Sequence, residues 1–80
     1  MRRTLVLLGR PGCHLCEEAL ERLEPICRSA GFGLRAADVD ASDIWRERHG
    51  LRIPVLLDGE TELGAWPFDW NALATRLVGR

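Results

Sequence analysis

Residues 5–16 read Leu5-Val6-Leu7-Leu8-Gly9-Arg10-Pro11-Gly12-Cys13-His14-Leu15-Cys16. The first four form a continuous apolar run that stops at a glycine, the pattern of a strand buried on both faces, as in a parallel sheet. A Gly-Arg-Pro-Gly loop follows. Beyond it, the apolar residues Cys16, Leu20, Leu23 and Cys27 recur at steps of four, three and four. That spacing places them on one face of a helix running from about Cys13 to Ala30. Glu17, Glu18, Glu21 and Glu24 fall on the other faces and favour its amino-terminal half through the macrodipole. Pro25 predicts a kink or an early end near Glu24, and Gly31 is the terminator.

Gly33 to Val39 reads as a second, weaker strand. Strand, helix and strand in succession predict a right-handed parallel crossover. Asp40 or Ser42 can cap a short helix through about His49, with Gly50 at its C′ position. Ile53-Pro54-Val55-Leu56-Leu57 is a third strand, with its proline near the start, where a missing donor is tolerable. Asp58-Gly59 is a hairpin signal, so a fourth strand, about Thr61 to Gly64, returns antiparallel. Trp66-Pro67 closes it. Asp69 can cap a last helix whose apolar face is Trp70, Leu73, Leu77 and Val78. The order is βαβαββα, an α/β fold read as one domain over residues 1–80.

With 46% hydrophobic and 29% charged residues, the chain has a globular balance rather than a disordered one. Its 80 residues leave little room for a second domain or a deep cavity. The net charge of -1, from 11 basic and 12 acidic side chains, argues against a nucleic-acid partner. All the basic residues are arginine, and there is no lysine or tyrosine. Met1-Arg2-Arg3 before Leu5–Leu8 imitates an export signal, but the apolar run falls short of the roughly 7–15 residues such a signal uses. No stretch approaches the ~20 apolar residues of a membrane span. The expectation is a cytoplasmic monomer with no membrane partner.

Three cysteines, one close pair and one distant, do not make a secreted disulfide framework. In a reducing compartment such a pair points to catalysis or metal binding. Cys13 and Cys16 stand where a buried strand meets a helix amino terminus. Unpaired backbone N–H groups and about half a positive charge gather there. A thiolate at Cys13 would accept those donors, and helix-terminal thiols of this kind titrate near 4–7 rather than about 8.5. Cys16, one turn in and more buried, stays a thiol until needed, and the i, i+3 spacing brings the sulfurs within disulfide reach. One cysteine attacks and the other resolves. Arg10, and His14 when protonated, are candidates to add positive charge beside Cys13. Cys27 reads as a buried structural thiol. His49 reads as a complement to a helix carboxyl terminus, and Trp45, Trp66 and Trp70 as packing.

Gly9-Arg10-Pro11-Gly12-Cys13-His14-Leu15-Cys16 after the first strand, Arg52-Ile53-Pro54-Val55-Leu56 opening the third, and the Asp58-Gly59 hairpin before a final helix together span nearly the whole chain. In these features the sequence resembles the glutaredoxin branch of the thioredoxin superfamily, and more narrowly its short glutaredoxin-like domains. The resemblance implies a thioredoxin-like fold: a four-stranded mixed sheet with flanking helices, the first two strands parallel and the last two antiparallel to them. It implies a redox-active Cys13–Cys16 disulfide with Cys13 as nucleophile and Cys16 as resolving thiol. It also implies a cis Pro54 facing that pair, with the Ile53 backbone presented to a substrate thiol or to glutathione. Arg10 and His14 complete the candidate substrate-binding set. Two details differ from the common family pattern: His14-Leu15 replaces Pro-Tyr inside the cysteine pair, and Gly64-Ala65 stands where the family has a Gly-Gly turn.

The reading that follows is a small thiol–disulfide oxidoreductase acting on protein or small-molecule disulfides. It needs no bound cofactor, and glutathione is a candidate reductant. The alternative is a non-enzymatic module binding zinc or copper(I) on the same two cysteines, although two thiolates fall short of the four ligands of a closed zinc site.

Overall fold

A computed structural model describes residues 3–78. Met1 and Arg2, the start of the stretch weighed against an export signal, lie outside the described residues, as do residues 79–80. The apolar run forms strand β1 (Thr4–Gly9). It pairs in parallel with β2 (Gly33–Asp38) on one side and antiparallel with β3 (Val55–Asp58) on the other. β4 (Thr61–Ala65) continues from β3, and the strand order is β2-β1-β3-β4. Only β3 therefore runs against the first two strands. The hairpin reverses the chain once more, so β4 is antiparallel to β3 and runs with β1 and β2, which corrects the expectation for the last strand.

Because side chains alternate along a strand, β1 serves two cores. Leu5 and Leu7 join Leu56 and Leu63 beneath helices α1 (His14–Ala30) and α3 (Trp70–Val78). Leu8 joins Val39, Val55 and Leu57 on the opposite face, where Trp45 of α2 (Asp43–His49) packs against them. Among the described residues no helix is long and apolar enough to cross a membrane. A four-stranded mixed sheet with flanking helices in the order βαβαββα is the thioredoxin-like architecture.

Several elements end elsewhere than the sequence predicts. α1 runs through Pro25 to Ala30 and closes on Gly31, whose φ is 83°. Pro25 is exposed, so water can reach the carbonyl it leaves without a partner. On the inner face Leu23 and Cys27 are buried on either side of it and hold the helix to the sheet. β2 stops one residue early because Val39 turns into a 3₁₀ turn (Val39–Ala41) and buries its side chain completely. Of the two candidate caps, Ser42 serves α2, accepting the N–H of Trp45 at 3.2 Å. Gly50 lies in the right-handed helical region, as the last cap of α2 rather than a left-handed C′ residue.

The β3 ladder begins at Val55, two residues later than expected; Pro54 has no N–H to pair. Asp58 belongs to β3 and pairs with Thr61, so the turn consists of Gly59 and Glu60. Gly59 has a φ of 61° and, among the described residues, only glycines have positive φ, the pattern of a type II′ turn with glycine first. In α3, Asp69 caps as expected, its side chain accepting the N–H of Ala72 at 3.1 Å. Leu73 and Leu77 are buried, but Val78 is 65% exposed at the end of the helix.

The three tryptophans pack. Trp66 and Trp70 flank Phe68, edge-on at 6.4 Å and stacked at 4.8 Å, and the Arg22 guanidinium lies 4.9 Å from the Trp70 ring centre. His49 is nearly buried, and its Nδ1 lies 3.7 Å from a Glu62 oxygen with no hydrogen-bond partner.

Cys27 is 1% exposed, and burial pushes its thiol pKa up. An unfolded thiol loses its proton near about pH 8.5, whereas the folded one keeps it to higher pH. Unfolding in that window therefore releases a proton, and the contribution of Cys27 to stability, complete at neutral pH, declines as the pH rises above about 8.5–9. The chain has no lysine or tyrosine whose titration would overlap this window. Cys27→Ala is expected to cost about 1 kcal/mol at neutral pH, the scale of one buried methylene-sized group. It is also expected to flatten the alkaline decline. Urea denaturation of the oxidised protein and the variant from pH 7 to about pH 11 checks both.

Candidate active site

The end of β1 and the start of α1 meet at one close contact. Cys16 packs directly against Gly9, and a methyl group on Gly9 would lie 2.9 Å from both its Cβ and its Sγ. The absence of a side chain at Gly9 is what lets the first turn of α1 approach the sheet. The intervening loop is held by the Cys13 N–H, which donates to the Arg10 carbonyl at 3.1 Å.

Cys13 is the N-cap of α1 rather than its first residue. Its backbone is extended (φ -81°, ψ 108°), and its Sγ accepts the N–H of Cys16 at 3.3 Å. A sulfur thus occupies the position that serine or aspartate oxygens fill in ordinary caps, where the helix amino terminus favours negative charge. Cys13 and Cys16 stand at disulfide distance, their Cα atoms 5.2 Å apart. Cys13 is half-buried, and Cys16 is buried at 8% exposure. The outer sulfur therefore has both the cap and the greater access to solvent.

His14, the first helical residue, and Leu15 are exposed beside the pair. The rung Leu8–Val55 is the last of the β1–β3 ladder, and the next step in register sets Gly9 opposite Pro54. Gly9 thus has Cys16 packed on it and Pro54 across from it. The Ile53–Pro54 bond is cis, as is Trp66–Pro67. Pro54 is buried, and its carbonyl accepts the Trp66 N–H at 3.0 Å, while Ile53, half-buried, precedes the paired strand. A cleft of about 260 Å³ opens beside Cys16 on the β2 side, lined by Leu7, Leu20, Ala36 and Ala37 among others.

Arg10 turns its guanidinium to Asp40 and Gly50. Nε and Nη2 donate to the two Asp40 carboxylate oxygens at 2.9 and 3.2 Å, and Nη1 donates to the Gly50 carbonyl at 2.9 Å. The Asp40 hydrogen bond pushes the Arg10 pKa further up, and Arg10 holds Asp40 below its usual carboxylate range. Arg52, next to Ile53, pairs with Glu62 on β4, with Nη1 2.7 Å from Oε1. Asp40 and Glu62 were not among the residues the sequence singled out for the site. Each lies at least ten residues from its arginine, and no local spacing announces such a pair. Gly64 and Ala65 lie in β4, and Gly64 leaves room for the Phe68 ring, which a methyl group there would approach to 3.1 Å. Among the described residues no group of three or more His, Cys, Asp or Glu side chains is placed to hold a metal ion.

Residues 4–78 match the family described as glutaredoxin-like domain (DUF836). No curated protein matches the chain. Among solved structures, the chain is similar to the solution NMR structure of protein Ne2328 from Nitrosomonas europaea. The identity is 30% and the TM-score 0.75, over 99% of this chain and 89% of that one. It is also similar to the X-ray structure of target protein XcR50 from X. campestris, with 34% identity and a TM-score of 0.72, over 95% of this chain and 97% of that one.

Gly9→Ala tests the contact on which the pair rests. The added methyl has to push the first turn of α1 off the sheet, and a loss of about 1–3 kcal/mol is expected, in the range of an overpacked core. Chemical denaturation of the oxidised variant measures it. A variant as stable as the unmodified protein would show that the contact tolerates a side chain.

Proposed function

The chain belongs to the glutaredoxin-like domain family, and on that premise we propose that it is a small thiol–disulfide oxidoreductase working through Cys13 and Cys16. One observation carries this reading: the Cys13 sulfur caps helix α1 and stands at disulfide distance from a buried second cysteine.

In the reduced protein the Cys13 thiolate is the attacking group, because the helix amino terminus stabilises the charged sulfur. It attacks one sulfur of a substrate disulfide. That S–S bond breaks, a Cys13–substrate disulfide forms, and the first substrate thiolate leaves and takes up a proton. Cys16 then gives up its proton and attacks the Cys13 sulfur. The mixed disulfide breaks, the second substrate thiol leaves, and the Cys13–Cys16 disulfide closes. The substrate has gained two electrons and the protein has lost two. Two thiols from glutathione or another carrier restore the dithiol. The Ile53 backbone, ahead of the β3 ladder and next to Pro54, is the edge on which an extended substrate segment is held by main-chain hydrogen bonds. His14, exposed beside the pair, flanks the same entrance, whereas the Arg10 guanidinium is engaged by Asp40 and the Gly50 carbonyl.

Cys13→Ser is expected to abolish exchange. Cys16→Ser is expected to accumulate a mixed disulfide on Cys13, most strongly with a protein disulfide, since external glutathione can resolve a small one. Mass spectrometry of both variants after exposure to substrate decides the order of attack. An adduct that builds on Cys16 in the Cys13→Ser protein, and not on Cys13 in the other, would reverse the assignment. Parallel assays with a glutathionylated peptide and a protein disulfide identify the preferred substrate class. The couple is expected between about -270 and -180 mV, the span from thioredoxin to disulfide isomerase, by redox titration. A value well below about -300 mV would indicate a structural disulfide instead.

A further inference from the structure

We propose that Arg10 is a positioning residue: its guanidinium, locked by Asp40, ties the loop that carries Cys13 to the segment that leads to Ile53 and Pro54. The proposal rests on the reading that Cys13 attacks and that the Ile53 edge holds the substrate. It assigns Arg10 a mechanical role where the sequence offers a nearby positive charge.

Three observations support it. First, the guanidinium makes bonds in two directions at once. Two of its nitrogens hold both Asp40 oxygens, and the third holds the Gly50 carbonyl, four residues before Pro54. A planar fork of donors can do this, whereas the rotating point charge of a lysine cannot. Second, the Arg10 guanidinium lies close against Gly50, which the last turn of α2 itself also crowds. A methyl group there would lie 3.2 Å from Arg10 Nη2 and 2.5 Å from the Arg46 carbonyl oxygen. Third, the segment is held from its other side as well. The Arg52 N–H donates to the His49 carbonyl at 2.9 Å, and the Arg52 side chain grips Glu62 on β4. Between these two fastenings Leu51 is fully exposed.

Asp40 has a second effect. Its carboxylate balances the Arg10 charge at bonding distance, so the pair presents no net charge to Cys13. Both partners are more than a third exposed, and exposed pairs add little to global stability. Variants at either position therefore fold, and what they lose is the spacing between the nucleophile and the substrate edge.

The test compares Arg10→Gln, Arg10→Lys, Asp40→Asn and the double variant Arg10→Gln/Asp40→Asn with the unmodified protein. Insulin serves as the protein disulfide and hydroxyethyl disulfide as a substrate too small to use the edge. Each single variant is expected to raise KM for insulin by about tenfold, a typical coupling for one hydrogen-bonded network, with kcat unchanged. Turnover of hydroxyethyl disulfide, the alkylation rate of reduced Cys13 and the melting temperature are expected to stay as they were. The double variant is expected to be no worse than either single one, because both changes break the same strut. Amide hydrogen exchange at Leu51, Arg52 and Ile53 is expected to speed up by about fivefold or more, with α1 unaffected. Additive effects in the double variant, or an unchanged KM, would overturn the proposal. So would a loss of activity that tracks slower Cys13 alkylation, which would make Arg10 an electrostatic residue. If the unmodified protein reduces neither disulfide, the oxidoreductase reading falls. Hydrogen exchange alone then decides the strut, which fails if residues 51–53 exchange at the same rate in all the proteins.

Discussion

Cys16 rests on the bare backbone of Gly9, with a gap too small for a methyl group, and the geometry of the site descends from that contact. Gly9 is fixed by the sheet: its strand pairs on both sides, and Gly9 itself is the rung opposite Asp38 of β2. The first turn of α1 therefore has one height above the sheet. That height sets Cys13 at the cap, half open to solvent, and Cys16 beneath it, closed. On the β3 side, one step of register beyond the last rung, Leu8–Val55, leads to Pro54. The two sulfurs and the start of β3 are thus located by strands buried on both faces, whose packing does not relax without cost.

The charged side chains around this frame act locally. Arg10 with Asp40 and Arg52 with Glu62 are surface pairs, and such pairs contribute little to the free energy of folding. Both fasten one segment, residues 50–53, to fixed points: the loop that carries Cys13 and the 3₁₀ turn on one side, β4 on the other. The Arg52 hydrogen bond also holds Glu62 below the usual carboxylate range, so this fastening stays charged at neutral pH. A loop carrying a fully exposed leucine is in this way kept ordered without a core of its own.

Much of this was legible in the sequence because it is written locally. The Leu5–Leu8 run, the face shared by Cys16, Leu23 and Cys27, the capping residues Ser42 and Asp69, and the cysteine pair at a strand-to-helix junction all depend on neighbours within a turn or two. The misreadings have the same origin. Pro25 stops a helix when judged by local rules, but the burial of Leu23 and Cys27 against the sheet carries α1 past it. Asp58-Gly59 looks like a turn, yet the ladder claims Asp58 and leaves Gly59-Glu60 to make the bend. Val78 continues an apolar period beyond the point where α3 still faces the sheet. The partnership of Arg10 with Asp40 spans thirty residues, and the contact of Gly9 with Cys16 depends on how closely a helix approaches a strand. Neither leaves a periodicity to read.

The sulfur that caps α1 is the same atom that closes the disulfide, so the helix end and the electron pair share a bond. A thermodynamic cycle joins them. The difference in folding free energy between the oxidised and the reduced chain equals the difference in the tendency to form the disulfide between the folded and the unfolded chain. A charged sulfur accepts the Cys16 N–H more strongly than a neutral disulfide sulfur does. A thiolate at Cys13 would make the helix start firmer in the reduced chain, and whatever firmness is gained there would appear as a greater tendency to accept electrons. Melting curves taken in each oxidation state therefore give the offset between the disulfide couple of the folded chain and that of the unfolded chain, without an electrode.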